Sequence, residues 1–273
     1  MEFSQARQAF WREVRQPIEQ IDLARAALYI AQEDYPELAI DSYLARLDQM
    51  AAVIDGRLAG DRVPMRVIRS INQHLFAELG FAGNRDDYYD PRNSFLNEVL
   101  DHRLGIPITL SLVYLEVAKR LDFPMVGVGM PGHFIIRPDF DDAGIFVDPF
   151  ANGEVLFPED CADRLSQIYG QPVTLRPEFL APIDPQRFLA RMLTNLKAIY
   201  ISRQDLVQAA RAIERILLIF PDAIQERRDR GLLYYQMERF TEARIDLQAY
   251  LAAEPQAVDR GPIASLLDRL DDL

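Results

Sequence analysis

Apolar positions recur at helical spacing through the first 80 residues. In IDLARAALYIAQEDYP, Ile21, Ala24, Ala27, Leu28 and Ala31 share one face, and Pro36 ends the run. A second helix is predicted over residues 41–58, with Asp41 as its N-cap. A third, over 65–79, places Val67, Ile68, Ile71, Leu75 and Leu79 together and stops at Gly80. Trp11 is expected to pack an N-terminal helix. The stretch GFAGNRDDYYDPRN reads as an ordered loop, and a helix follows Asn93. Residues 107–121 are apolar on most sides, which predicts a buried helix, and proline suits its first turn. The period then changes. MVGVGM, HFIIRP and GIFVDPF are short, β-rich segments. Their connections are too short for parallel crossovers, so they read as antiparallel strands. Helices resume near Pro158.

From about residue 185 the helical pattern carries an internal period. Tyr200, Ala209 and Pro221 recur as Tyr234, Ala243 and Pro255, each 34 positions on. Breaks at 202–205 and 238–241 divide each copy into a helical hairpin, and 261–271 reads as a closing helix. This period, with small residues at helix crossings, resembles the tetratricopeptide repeat. Two repeats are few for an independent solenoid, so the unit is expected to pack on the preceding domain. The expected division is 1–180 and 181–273, joined through the Pro-rich PVTLRPEFLAPIDPQ. The fold class is α+β, followed by an all-α repeat unit.

The net charge of −12 changes this picture because it is uneven. Residues 181–273 hold 13 basic and 14 acidic side chains, leaving 17 and 28 for residues 1–180. An acidic body repels phosphate backbones, so no nucleic-acid partner is expected. No run of eighteen apolar residues exists, and no membrane partner is expected. The opening stretch lacks an apolar leader and only one cysteine occurs, so a reducing, cytoplasmic setting is expected. Asp86, Asp87 and Asp90 lack EF-hand spacing, and Asp139, Asp141 and Asp142 read as a solvated hairpin. No metal site and no cofactor are expected.

The segments GFAGNRDDYYDPRNSFLNEVLDHRLGIPITLS, PGHFIIRP and VDPF, in this order, resemble the bacterial SirB-type family. Its members join a transglutaminase-like domain to tetratricopeptide-like repeats. The resemblance implies a papain-like core, in which a Cys opens a buried helix and a His and an Asp lie on following strands. Gly105, Ser111, Leu121 and Pro124 match the helix pattern, while His133 and Asp148 match the catalytic His and Asp. The matching nucleophile position is Pro107, which has neither thiol nor hydroxyl. Thr109 and Ser111 lie inside the helix, and Cys161 reads as a plain structural thiol.

The resemblance therefore implies a non-catalytic interaction or regulatory protein with a protein or peptide partner. The alternative is a hydrolase in which His133, oriented by Asp148, activates water directly. Without a nucleophile, His133 and Asp148 either bond each other to fix two adjacent strands or stand as polar anchors of a cleft that binds a ligand or peptide; Asn93, Ser94 and Asn97 are candidates to line the same cleft, against ordinary capping and loop bonding. Arg137 is expected to face away from His133 or into a salt bridge. On the repeat unit, Arg191, Arg228 and Tyr235 are the candidate peptide-binding residues.

Overall fold

The computed structural model describes residues 4–140 and 144–271, so Asp141 and Asp142 lie outside the described residues. The chain divides into two compact units, Met1–Leu189 and Ala190–Leu273.

The first unit opens with α1 (Gln5–Val14), α2 (Leu23–Gln32), α3 (Ile40–Leu58) and α4 (Pro64–Asn72). Asp22 caps α2, accepting the Arg25 N–H at 2.9 Å. Two expectations need correction here. Ala39, not Asp41, is the cap residue of α3; Asp41 sits in its first turn and pairs with Arg25 at 3.2 Å. Acidic groups favour either place, because both lie at the positive end of the helix dipole. Trp11 is 43% exposed rather than packed. The helix read over 65–79 is α4 continued by a π-helical stretch, Gln73–Glu78.

The region read as a loop holds two short pieces. Strand β1 (Ala82–Gly83) pairs in parallel with β2 (Leu104–Gly105), and a 3-10 turn covers Pro91–Ser94. Between them lies α5 (Leu96–His102). The predicted buried helix is α6 (Pro107–Arg120), and every residue from Pro107 to Ala118 is buried. Around it pack α2, α3, α4 and α5.

The strands form one antiparallel sheet. It holds β3 (Met125–Val128), β4 (Ile135–Pro138), β5 (Phe146–Asp148), β6 (Glu154–Leu156) and β7 (Pro182–Ile183), in the order β6-β5-β4-β3-β7. Helix α6 packs on β3 and β4. Val128, Met130, Ile135, Phe146 and Leu156 form a separate cluster with Cys161 and Leu165 of α7 (Pro158–Tyr169). The sheet is thus buried on both faces, which is why its strands read as short apolar runs.

The second unit is helical. Helix α8 (Pro185–Ser202) leads into it, followed by α9 (Leu206–Ile219), α10 (Ile224–Gln236), α11 (Phe240–Ala253) and α12 (Arg260–Asp271). The 34-residue period holds down to single hydrogen bonds. The Asp205 N–H donates to the Tyr200 carbonyl, and the Arg239 N–H to the Tyr234 carbonyl, both at 2.9 Å. Gln204 and Glu238 take left-handed φ values of 59° and 58° at the two breaks. Ala209 and Ala243 are fully buried, as their small size at a crossing requires. Among the described residues, no helix is long and apolar enough to cross a membrane.

Candidate functional site

Asp148 ends β5 and is fully buried. Its Oδ1 accepts the N–H groups of Phe150 at 3.0 Å and Ala151 at 3.3 Å, capping the turn Pro149–Ala151. Its Oδ2 accepts from His133 Nε2 at 2.7 Å and from Arg164 Nη1 at 2.5 Å. Four donors thus occupy the roughly four lone-pair sites of one carboxylate. A buried carboxylate needs such compensation, since an unpaired one costs several kcal/mol.

His133 stands just before β4, and its backbone N–H closes a turn onto the Met130 carbonyl at 3.1 Å. The ring is buried and sits edge-on to Phe150, with centroids 6.2 Å apart. Nε2 is held by Asp148, whereas Nδ1 has no hydrogen-bond partner among the described residues. Arg164, on α7, also pairs with Glu154 at 2.7 Å. One arginine therefore ties α7 to both β5 and β6.

Further groups fix the turn after Asp148. Asn72, ending α4, donates from Nδ2 to the Gly153 carbonyl at 2.6 Å. Gly153 has φ of +77°, and a Cβ there would come within 2.2 Å of Asn72 Oδ1. Only glycine meets both demands. Gly83 likewise leaves room for Phe150, whose ring would lie 2.5 Å from an added Cβ. Phe150 contacts Tyr88 edge-on, and Arg85 lies 5.1 Å from its centroid.

Pro107 is buried at the first position of α6, preceded by Ile106 as cap. The Ile106 N–H donates to Thr109 Oγ1 at 3.1 Å, and that hydroxyl donates to the Asn93 carbonyl at 2.7 Å. Thr109 is thus bonded at the helix start. Helix α6 also packs on the Pro149–Ala151 turn beside Asp148.

The sequence-read residues fall into separate places. His133 and Asp148 are brought together. Asn93 is buried in the Pro91–Ser94 turn, where its Nδ2 donates to the carbonyls of Asp87 at 2.7 Å and Tyr88 at 3.2 Å. Asn97 and Ser94 are buried, and Asn97 Oδ1, Ser94 Oγ and Ser111 Oγ have no hydrogen-bond partner among the described residues. Arg137 makes no salt bridge among the described residues; it donates to the Pro138 carbonyl at 3.0 Å. Arg228 is already neutralised, by Asp229 at 2.7 Å and Asp259 at 3.1 Å. Tyr235 packs on Phe240. No hydrogen bond or ion pair joins any two of Arg191, Arg228 and Tyr235 among the described residues. Sequence reasoning missed Arg164, Phe150 and the Asn72–Gly153 lock. A lone Arg on a helix 16 residues after an Asp carries no spacing signal, although two adjacent positive-φ positions at Asn-Gly were open to reading as a turn.

Cys161 is buried in α7, and burial together with Asp160 pushes its thiol up to about 12. That is the setting of an inert structural thiol. Among the described residues, no group of three or more His, Cys, Asp or Glu side chains is arranged to hold a metal ion.

Residues 41–194 match the transglutaminase-like superfamily, and residues 196–268 match the tetratricopeptide repeat. A UPF0162 protein of Xylella fastidiosa (strain 9a5c) is 36% identical over 240 residues, covering 87% of this chain and 85% of its own. Another, from Pseudomonas aeruginosa, is 31% identical over 233 residues, covering 84% and 83%. Human F-box only protein 21 is 30% identical over 184 residues, which are 63% of this chain and 28% of that protein. No solved structure matches. With the transglutaminase-like match spanning more than half of the chain and the repeats following it, the chain belongs to the UPF0162 proteins, the SirB-type family.

Proposed function

We propose that this protein is a non-catalytic interaction protein, in which a transglutaminase-like pseudoenzyme domain precedes a peptide-binding repeat unit. The observation that carries the reading is Pro107. It stands first in α6, where papain-like chemistry needs a thiol. Proline removes the nucleophile and the backbone N–H together, so the position offers neither an attacking atom nor an oxyanion donor. His133, Asp148 and Arg164 then serve as a buried polar brace between the end of β5, the start of β4 and α7. Repeat units of this kind commonly present a concave binding surface, which supports the protein-partner role. A cytoplasmic location fits a chain with one cysteine and hence no internal disulfide.

A second reading keeps His133 as a general base acting on water. The favouring observation is Nδ1, which has no partner while Nε2 is oriented by Asp148. One experiment separates the two. The protein and His133→Ala are assayed on fluorogenic amides, thioesters and esters, with the thermal melt of each as the folding control. Equal background rates support the non-catalytic reading. Turnover abolished by His133→Ala in a variant that still melts as a folded protein refutes it in favour of water activation.

A further inference from the structure

A groove of about 610 Å³ opens on the first unit, lined by residues of the α1–α2 connection, the end of α6, β3 and the β7–α8 corner. It includes neither His133 nor Asp148. Its walls are apolar: Ile18, Ile21, Leu23, Met125, Ile183 and Phe188. Its rim is acidic. Glu19, Asp122 and Asp139 are exposed there, and none is ion-paired among the described residues. Glu116 is buried and already neutralised by Arg120 at 2.5 Å, and Lys119 is the rim's single cation among the lining residues.

Two further features point the same way. The C-terminal end of α6, a 14-residue helix, reaches the groove at Leu115, Glu116 and Lys119, and Asp122 follows just beyond its cap. That end carries the negative pole of the helix dipole, which adds to the attraction for a cation. The second feature is a sheet edge. Strand β7 pairs with Gly127 and Val128 of β3, and with no other strand among the described residues. Met125 and Val126 pair with Pro138 and Arg137 of β4 and also line the groove. Backbone polar groups alternate sides along a strand, so one of these two residues directs its N–H and C=O away from β4, on the side where the β7 pairing has ended. An open edge of this kind accepts an added strand.

We propose that this groove docks an extended basic-apolar peptide segment of a partner protein. The segment adds a short strand at Met125–Val126, places one bulky apolar side chain against the walls, and sets flanking Lys or Arg side chains against Glu19, Asp122 and Asp139. The surplus of acidic side chains in residues 1–180 supplies long-range attraction for the same partner. The assignment rests on the interaction role proposed above but not on the state of His133. Turnover assays decide that question and peptide binding decides this one.

The test uses the full chain and five labelled nonapeptides, each with arginines flanking one central Leu, Ile, Met, Phe or Trp. Anisotropy titration at low salt should give saturable binding for at least one of them, weakened as salt rises. Its acidic counterpart, with Glu for Arg, should not bind. Combining Glu19→Gln, Asp122→Asn and Asp139→Asn should weaken binding about tenfold, the scale of three exposed charge pairs acting together. Ile18→Arg, at a 43% exposed position, should weaken it with the melting temperature unchanged. Methyl NMR should show the bound peptide at Met125 and Ile183. No saturable binding by any of the five, equal binding of the acidic peptide, unchanged affinity in both variants, or methyl shifts confined to the repeat unit would each overturn the assignment.

Discussion

Replacing Asp148 by Asn tests whether the His133–Asp148–Arg164 brace is structural. The substitution keeps the shape and one carbonyl oxygen. That oxygen can cap Phe150 and Ala151 or face His133 and Arg164, but not both. In the first case an NH₂ group faces two donors across distances of 2.7 and 2.5 Å. The brace then loses a charge-assisted bond to Arg164, worth about 2 kcal/mol, and a bond to His133, worth about 1 kcal/mol. A total loss of about 3 kcal/mol lowers the melting temperature by roughly 6–12 °C for a unit of this size. Trp11 is the sole tryptophan and lies on α1, so its fluorescence reports the first unit during urea titration. Far-UV dichroism follows the whole chain, whose two units need not unfold together. A cycle with His133→Ala should show the two residues coupled by at least ~0.5 kcal/mol. A loss below about 0.5 kcal/mol would refute the brace, being the size of an ordinary surface substitution. A gain in stability would go further. Catalytic groups are often held at a cost to the fold, so relief on substitution would mark a site kept for chemistry.

Cys161, with its thiol near 12, should resist iodoacetamide in the native protein at pH 8 and react at a rate tracking unfolding; prompt native modification would contradict its burial. Pro107→Cys should alkylate faster than Cys161 near neutral pH, because a helix N-terminus lowers a thiol's pKa; equal or slower reaction would mean that the buried start of α6 neither admits the reagent nor activates a thiol. Glu78 is held down to about 2 by Arg57 and His74. A lowered carboxyl contributes stability above its unfolded value, roughly 4.3, and loses it as pH falls through the folded value. Glu78→Gln should therefore flatten acid unfolding between about pH 4.3 and 2; an unchanged acid limb would show the contact to be idle. A Cβ added to Gly56 in α3 would meet open space, whereas one on Gly231 would sit 2.8 Å from Leu247 Cγ. Gly56→Ala should stabilise by up to about 1 kcal/mol and Gly231→Ala should destabilise, as thermal melts would show; the same sign for both would refute the close α10–α11 crossing.

Much of the fold was legible because its signals are local. Helix α6 announces itself through apolar residues on most sides, and β3 to β5 through short β-rich runs bounded by turns. The repeat was legible because its period fixes caps, left-handed breaks and crossing alanines at once. The strands that escaped reading are two or three residues long. Strands β1, β2, β6 and β7 exist because tertiary neighbours pair with them, and Ala82–Gly83, Glu154–Leu156 or Pro182–Ile183 hold too little pattern to show it. The π-helical stretch at Gln73–Glu78 has the apolar spacing of an ordinary helix, so nothing in its residues distinguishes it. In the site, His133 and Asp148 stood out through motif order, while Arg164 is visible only once α7 lies over β5.

The architecture around Pro107 follows from what proline can and cannot do at the start of a helix. At the first position of a helix the backbone N–H has no partner within the helix, and φ near −65° is already set in proline. Proline at Pro107 is therefore compatible with α6 and its burial. The hydroxyl of Thr109 caps the Ile106 N–H just before it, and the same hydroxyl ties the helix to the Asn93 carbonyl. Those bonds need no group from residue 107. Farther on, the brace at Asp148 is closed by Arg164, on an element that contributes no member of a papain-like triad. The buried carboxylate of Asp148, compensated by Arg164, His133 and two backbone N–H groups, holds the end of β5, the start of β4 and α7 together without any group from residue 107.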